Sequence, residues 1–144
     1  VENKKGSKPV MLVADTTGEA VKVQDLKSSL ERGIATRLLN PGWIQGMMRH
    51  DYHGVQQIAK GFENVMGFAA STDAVTGETF SRMTRCYAGD EKLRKQMQQS
   101  NRWAYMKMME RLMEASNRGY FDATEEELSQ IREAYLEAEG EAEE

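Results

Sequence analysis

The sequence predicts a mainly α-helical domain, a multi-helix body with a short N-terminal β-strand or hairpin. Three observations predict it. Apolar residues recur at three- and four-residue steps through most of the chain after about residue 24. Helix-start signatures, Asn40-Pro41 and Thr124-x-x-Glu127, punctuate that pattern. One short continuous apolar run, Val10-Met11-Leu12-Val13-Ala14, stands apart near the beginning and reads as a buried strand.

Taken in order, residues 1–9 are polar and basic and read as a flexible lead-in. The apolar run over 10–14 ends at Asp15-Thr16-Thr17-Gly18, a turn, and Val21 and Val23 could return as a partner strand. One strand needs such a partner for its backbone groups, here or outside the chain. Leu26, Leu30, Ile34 and Leu38 form the first helical stripe, with Gly33 inside it as a sign of close packing. Asn40 caps and Pro41 opens the next helix, whose apolar face is Trp43, Ile44, Met47 and Met48. Val55, Ile58, Ala59, Phe62, Val65 and Met66 give the clearest amphipathic pattern, preceded by Gly54 and broken by the small residues from Gly67 to Asp73. A short helix is expected over Thr79–Ala88, and Asp90 caps a mostly polar one over Glu91–Gln98. Asn101 opens another, with Tyr105, Met106, Met109, Leu112, Met113 and Ser116 on one face and Gly119 at its end. Thr124 and Glu127 make a capping box ahead of Leu128, Ile131, Tyr135 and Ala138. The expected boundaries are 10–24 for the β element, 25–139 for the helices and 140–144 for an acidic tail.

Composition narrows the function classes. At 144 residues, with 40% hydrophobic and 29% charged side chains, the chain fits one soluble domain with its own core. No apolar run is long enough to span a bilayer, and no signal peptide opens the chain. The first residue is Val, which points to a processed chain or a piece of a longer one. The single cysteine, Cys86, allows no internal disulfide and no cysteine zinc site, which fits a reducing, cytoplasmic setting. Within the overall charge of −4, residues 120–144 carry ten acids against Arg132 alone, leaving a mildly basic body. That end reads as a solvated helix or a docking surface, and the body is not basic enough for nucleic acid. Met106, Met109 and Met113 keep helical spacing and read as core, not as soft metal ligands.

The chemistry-bearing stretch runs from Asn40 to Gly54, Asn-Pro-Gly-Trp-Ile-Gln-Gly-Met-Met-Arg-His-Asp-Tyr-His-Gly, and holds the only two histidines. His50 and His53, three apart, would share one face if a single helix carried them, within reach of one ion, with Asp51 near. Two ligands do not complete a zinc site, and a histidine at a helix end hydrogen-bonded to backbone is the plainer reading. Histidine is also the natural proton-transfer group near neutral pH. Asp73 fits an Asx-turn or cap as well as a site, and Asp15-Thr16-Thr17 fits a strand-end loop. No phosphate loop, nucleophile elbow or dinucleotide fingerprint is present.

Four blocks carry a family resemblance: Val13-Ala14-Asp15-Thr16-Thr17; Asn40 through Met48 with His50, Tyr52 and Gly54; Phe68-Ala69-Ala70-Ser71-Thr72-Asp73-Ala74-Val75; and Ala115-Ser116-Asn117-Arg118-Gly119-Tyr120-Phe121. They resemble the C-terminal region of the large subunit of cobaltochelatase and of its magnesium chelatase relative. The family's His-Gly-Tyr-x-Gly is here His50-Asp51-Tyr52-His53-Gly54, so His53 falls at the variable position. The first and third blocks look more like the cobalt branch. The resemblance implies a piece of a much larger tetrapyrrole-binding subunit that inserts Co²⁺ into a corrin precursor, or Mg²⁺ into protoporphyrin IX. It implies ATP hydrolysis by partners, an AAA+ ATPase and a subunit with an integrin-like metal-binding domain, with no ATP bound by this chain. It makes His50 the candidate proton-transfer residue and lowers the case for His53, whose candidacy as a metal ligand beside His50 rests on spacing alone. Asn40, Trp43, Tyr52, Thr72 and Asp73 become candidate tetrapyrrole contacts. The competing class is a helical module that docks partner subunits through its acidic end.

Overall fold

The computed structural model describes the backbone of residues 9–14, 20–72 and 77–142, and side chains over 29–67 and 77–140. Six α-helices carry the fold: α1 (Val23–Thr36), α2 (Pro41–Met48), α3 (Tyr52–Thr72), α4 (Gly77–Thr84), α5 (Glu91–Asn117) and α6 (Glu125–Ala142). A single π-helical turn, Arg85–Gly89, joins α4 to α5. The described part is therefore mainly α, as expected. Helix α1 takes Val23 and Gln24, both expected in the β element at 10–24.

Helix α5 lies between α3 and α6 and makes the main packing contacts with both. The stripe Val55, Ile58, Phe62, Val65 and Met66 of α3 is buried against Tyr105, Met108, Met109 and Leu112 of α5. On the other side Ile131, Ala134 and Ala138 of α6 close the core. Phe80 of α4 stacks on Phe121 at 5.3 Å, and Phe62 meets Tyr87 edge-on at 5.0 Å. Burying such a side chain contributes roughly 1.5–3 kcal/mol, so these stripes set the arrangement.

Buried polar groups tie the layers together. The Tyr87 hydroxyl donates to the Leu38 carbonyl at 2.6 Å, and the Tyr105 hydroxyl to the Tyr87 carbonyl at 2.6 Å. Burial raises both phenols above the ordinary tyrosine value. Arg94, 8% exposed, donates to the Ala88 carbonyl at 3.0 Å and lies 3.2 Å from the Glu137 carboxylate. Gln98 reaches the same carboxylate at 3.2 Å.

The caps fall where the sequence puts them. Asn40 accepts from the Trp43 amide at 3.0 Å, and Asp90 from the Leu93 amide at 3.2 Å. Thr124 and Glu127 bond each other's amides reciprocally, both at 3.0 Å. Gly119 ends α5 with φ +79°.

Four further expectations are corrected. Gly67 does not break its helix: α3 continues to Thr72, because one exposed glycine costs only about 1 kcal/mol against a well-buried stripe. Gly54 stands inside α3, not before it. The helix expected over Thr79–Ala88 begins at Gly77, and its last turn widens to π from Arg85. The stretch 140–142 expected in an acidic tail belongs to α6.

Candidate functional site at the α2–α3 corner

The sequence around the histidines folds into a tight corner. As α2 ends, the His50 amide donates to the Met47 carbonyl at 2.9 Å and the Asp51 amide to Met48 at 3.2 Å. Asp51 then turns left-handed, with φ 54°, and its carbonyl accepts from the Gly54 and Val55 amides as α3 begins. Asp is among the few non-glycine residues that tolerate this region. Gly54 is required by contact: a Cβ there would lie 1.8 Å from the Met47 carbonyl oxygen. His50 and His53 are thus on either side of a chain reversal, not on one helical turn.

Both histidines, Asp51 and Tyr52 are exposed. The Tyr52 and His53 rings meet edge-on at 5.4 Å. Among the described residues none of these four side chains has a hydrogen-bond partner, and no group of three or more His, Cys, Asp and Glu could hold a metal ion. Beneath the corner lies Asn101, 5% exposed. Its Nδ2 donates to the Tyr52 carbonyl and its Oδ1 accepts from the Ala104 amide, both at 3.1 Å. Trp103, two residues on, is 59% exposed.

The other candidates fall elsewhere. Asn40 spends its side-chain oxygen on its cap at the opposite end of α2. Trp43 lines a groove of about 630 Å³ between α1, α2 and α3, together with Leu30, Ile34, Arg37, Met47 and Lys60. Neither His50 nor Tyr52 borders that groove. Thr72 is the last residue of α3 and Tyr52 the first, so about 30 Å of helix separates them at 1.5 Å per residue. The histidine corner and the described C-terminal end of α3, residues 68–72, are therefore well separated, whereas Trp43 shares its groove with Asn64 and Val65 of α3. Asp73 and the Asp15-Thr16-Thr17 block lie outside the described residues.

Cys86 is half-buried, and its thiol is pushed up to about 11, chiefly by burial and then by the Asp90 charge. That disfavours the thiolate a nucleophile needs. Sequence reasoning missed the buried set Arg94, Gln98 and Asn101. A signal was present: stepping back from Tyr105 by four, three and four lands on all three, on the face that carries the core.

The family follows from comparison with known proteins. Residues 1–128 match CobN/Magnesium Chelatase. The chain belongs to this family. It is 35% identical over 136 residues to the magnesium-chelatase subunit ChlH, chloroplastic, of Oryza sativa subsp. indica, covering 94% of this chain and 10% of that protein. It is 34% identical over 96 residues to the aerobic cobaltochelatase subunit CobN of Sinorhizobium sp, covering 67% of this chain and 8% of that protein. Its fold superposes on the catalytic subunit of cobaltochelatase from Mycobacterium tuberculosis with a TM-score of 0.77 at 33% identity, covering 80% of this chain and 10% of that one. The chain thus spans about a tenth of the length of these relatives. No helix among the described residues is long and apolar enough to cross a membrane.

Proposed function

We propose that this chain is a single domain, the C-terminal piece of a tetrapyrrole-binding large subunit of an ATP-dependent metal chelatase. The observation that carries the reading is the match to this family over residues 1–128, joined to the fold shared with a cobaltochelatase catalytic subunit. The reaction is insertion of Co²⁺ into a corrin precursor of cobalamin, with Mg²⁺ into protoporphyrin IX as the alternative within the family. The metal is substrate. ATP is spent by partners, an AAA+ ATPase and a subunit with an integrin-like metal-binding domain, and the complex works in the cytoplasm. The rest of the large subunit completes the site.

Insertion requires two ring N–H protons to leave while a hydrated ion sheds water, so a base and a metal-holding group must act together. His50 takes the base role, and His50 with His53 offers nitrogen to the incoming ion. Their exposure supports this, since an imidazole meant for an outside ligand must reach it. Tyr52 presents a ring beside them. Asn40, Trp43, Thr72 and Asp73 serve as contacts with the ring or with neighbouring parts of the subunit. Residues 10–22 supply a short β element, ended by the start of α1 at Val23; the antiparallel register Pro9–Lys22 and Val10–Val21 supports it.

A second reading, a docking module without chemistry of its own, is favoured by one observation: Tyr52 and Thr72, both candidate ring contacts, stand at opposite ends of α3. Calorimetric titration with Co²⁺ and Mg²⁺, with and without a corrin precursor, separates the two. In the chelatase reading the wild-type chain binds and His50→Ala loses binding with its fold intact. Equal binding by both proteins would take His50 out of the site, and binding by neither would leave the docking module or a site completed only by the rest of the subunit.

A further inference from the structure

We propose that Asn101 is a positioning residue that holds the His50–His53 corner in place through the Tyr52 carbonyl. The proposal rests on the reading of His50 as the proton-transfer group.

Asn101 sits in the middle of the 27-residue α5, yet its backbone is extended, with φ −160° and ψ 84°. A break there strips the following turn of its intrahelical acceptors, an arrangement found at helix starts and not in helix interiors. Oδ1 meets part of that need by accepting from the Ala104 amide, as an N-cap does. A serine or aspartate would cap as well. Neither would do what the other half of the amide does, which is to donate from Nδ2 to the Tyr52 carbonyl at 3.1 Å. The amide carries its acceptor and its donor on two separate atoms and so reaches both ends at once, whereas a serine hydroxyl has one oxygen for both and an aspartate carboxylate has no donor. At 5% exposure, water has little room to replace either bond.

The target of the donor is specific. Tyr52 opens α3, directly after the left-handed Asp51 and between the two histidines. Among the described residues Asn101 is the one side chain from outside α2 and α3 that hydrogen-bonds the corner. The rest of the corner is held by its own backbone bonds and by the contact of Gly54 with the Met47 carbonyl. Since neither histidine makes a side-chain hydrogen bond and the one ring contact, His53 on Tyr52, lies within the corner itself, the direction in which they point is set by the backbone beneath them. Asn101 fixes that backbone to the core helix, which itself is clamped by Tyr105 and Arg94.

The test uses the full 144-residue chain with Asn101→Ser and Asn101→Asp. Both keep the acceptor for Ala104 and lack the amide donor, so one serves if the other fails to fold. Hydrogen exchange is read at the Gly54 and Val55 amides and, as internal reference, at amides 105–115 of α5. The expected result is exchange about tenfold faster at Gly54 and Val55 with the reference amides unchanged, reporting local opening. The imidazole NMR signals of His50 and His53 should shift in the same variants. Unchanged exchange and imidazole signals, or acceleration shared equally by α5, would overturn the proposal. A Co²⁺ titration separates it from the reading it rests on. If wild-type binding depends on His50, the Asn101 variants should bind about tenfold more weakly, as removal of a supporting hydrogen bond does in metal sites. If His50→Ala titrates like wild type, the His50 role fails, while the exchange data still decide whether Asn101 holds the corner.

Discussion

The α5–α6 face and the α2–α3 corner treat polar side chains in opposite ways. Between α5 and α6, Arg94 and Gln98 are buried and share the Glu137 carboxylate, and the neighbouring Tyr105 hydroxyl is spent on the Tyr87 carbonyl. At the corner, His50, Tyr52 and His53 stand in solvent; their backbone is tied down, and their side chains have no hydrogen bond, only the edge-on contact of the Tyr52 and His53 rings. A buried polar group with its partners is explained by folding, because leaving it unpaired costs about 1–3 kcal/mol. An exposed side chain without partners contributes little to stability, so its value lies in what it meets outside. The corner is therefore a rigid backbone carrying uncommitted chemistry, whereas the α5–α6 face is committed chemistry that makes the body rigid.

Substitutions sharpen this contrast, beginning with the backbone of the corner. Gly54→Ala places a methyl 1.8 Å from the Met47 carbonyl oxygen and forces α2 from α3. It should cost about 3 kcal/mol, read as a lowered midpoint in urea unfolding. Tyr105→Phe removes the donor to a buried carbonyl and should cost about 2 kcal/mol in the same assay. The buried phenols also set an alkaline limit. Their folded values are raised above about 10, the unfolded value. The stability they confer is thus complete below about pH 10 and is lost as pH rises through the folded values. Thermal scans should stay flat from neutrality to about pH 10 and then fall, and a steady decline from pH 8 would show that the phenols are not the cause. Gly33→Ala should go the other way and raise stability by up to ~1 kcal/mol, since a Cβ there meets nothing within 4 Å. His50→Ala should change stability by less than about 0.5 kcal/mol. A large loss would move His50 to the committed class and break the comparison.

Much of the helical framework was legible because caps are local. Asn40, Asp90, Asn101 and Thr124 each bond an amide three residues ahead, and such spacings are visible in a linear sequence. Gly54 and Gly67 misled for the complementary reason. Local propensity reads glycine as a stop, but Gly54 is kept for a contact with a carbonyl seven residues back, and Gly67 is carried by the stripe before it. The second misreading also reached the site. A helix ended at Gly67 would have left 68–72 free to fold back on the histidines, and the continuous α3 carries those residues away from Tyr52 instead. The second arm of Asn101, the π turn and the sharing of Glu137 depend on which helices become neighbours, which no window of sequence contains.

The uninterrupted length of α3 makes it a strut. Ile58 and Phe62 seat its middle in the core, and the Glu63–Arg111 ion pair pins it to α5. A load applied at Tyr52 is therefore delivered to Thr72 with little loss on the way. Whatever grips one end of this helix steers the other, and two neighbours too far apart to touch can be kept in step by the bar between them.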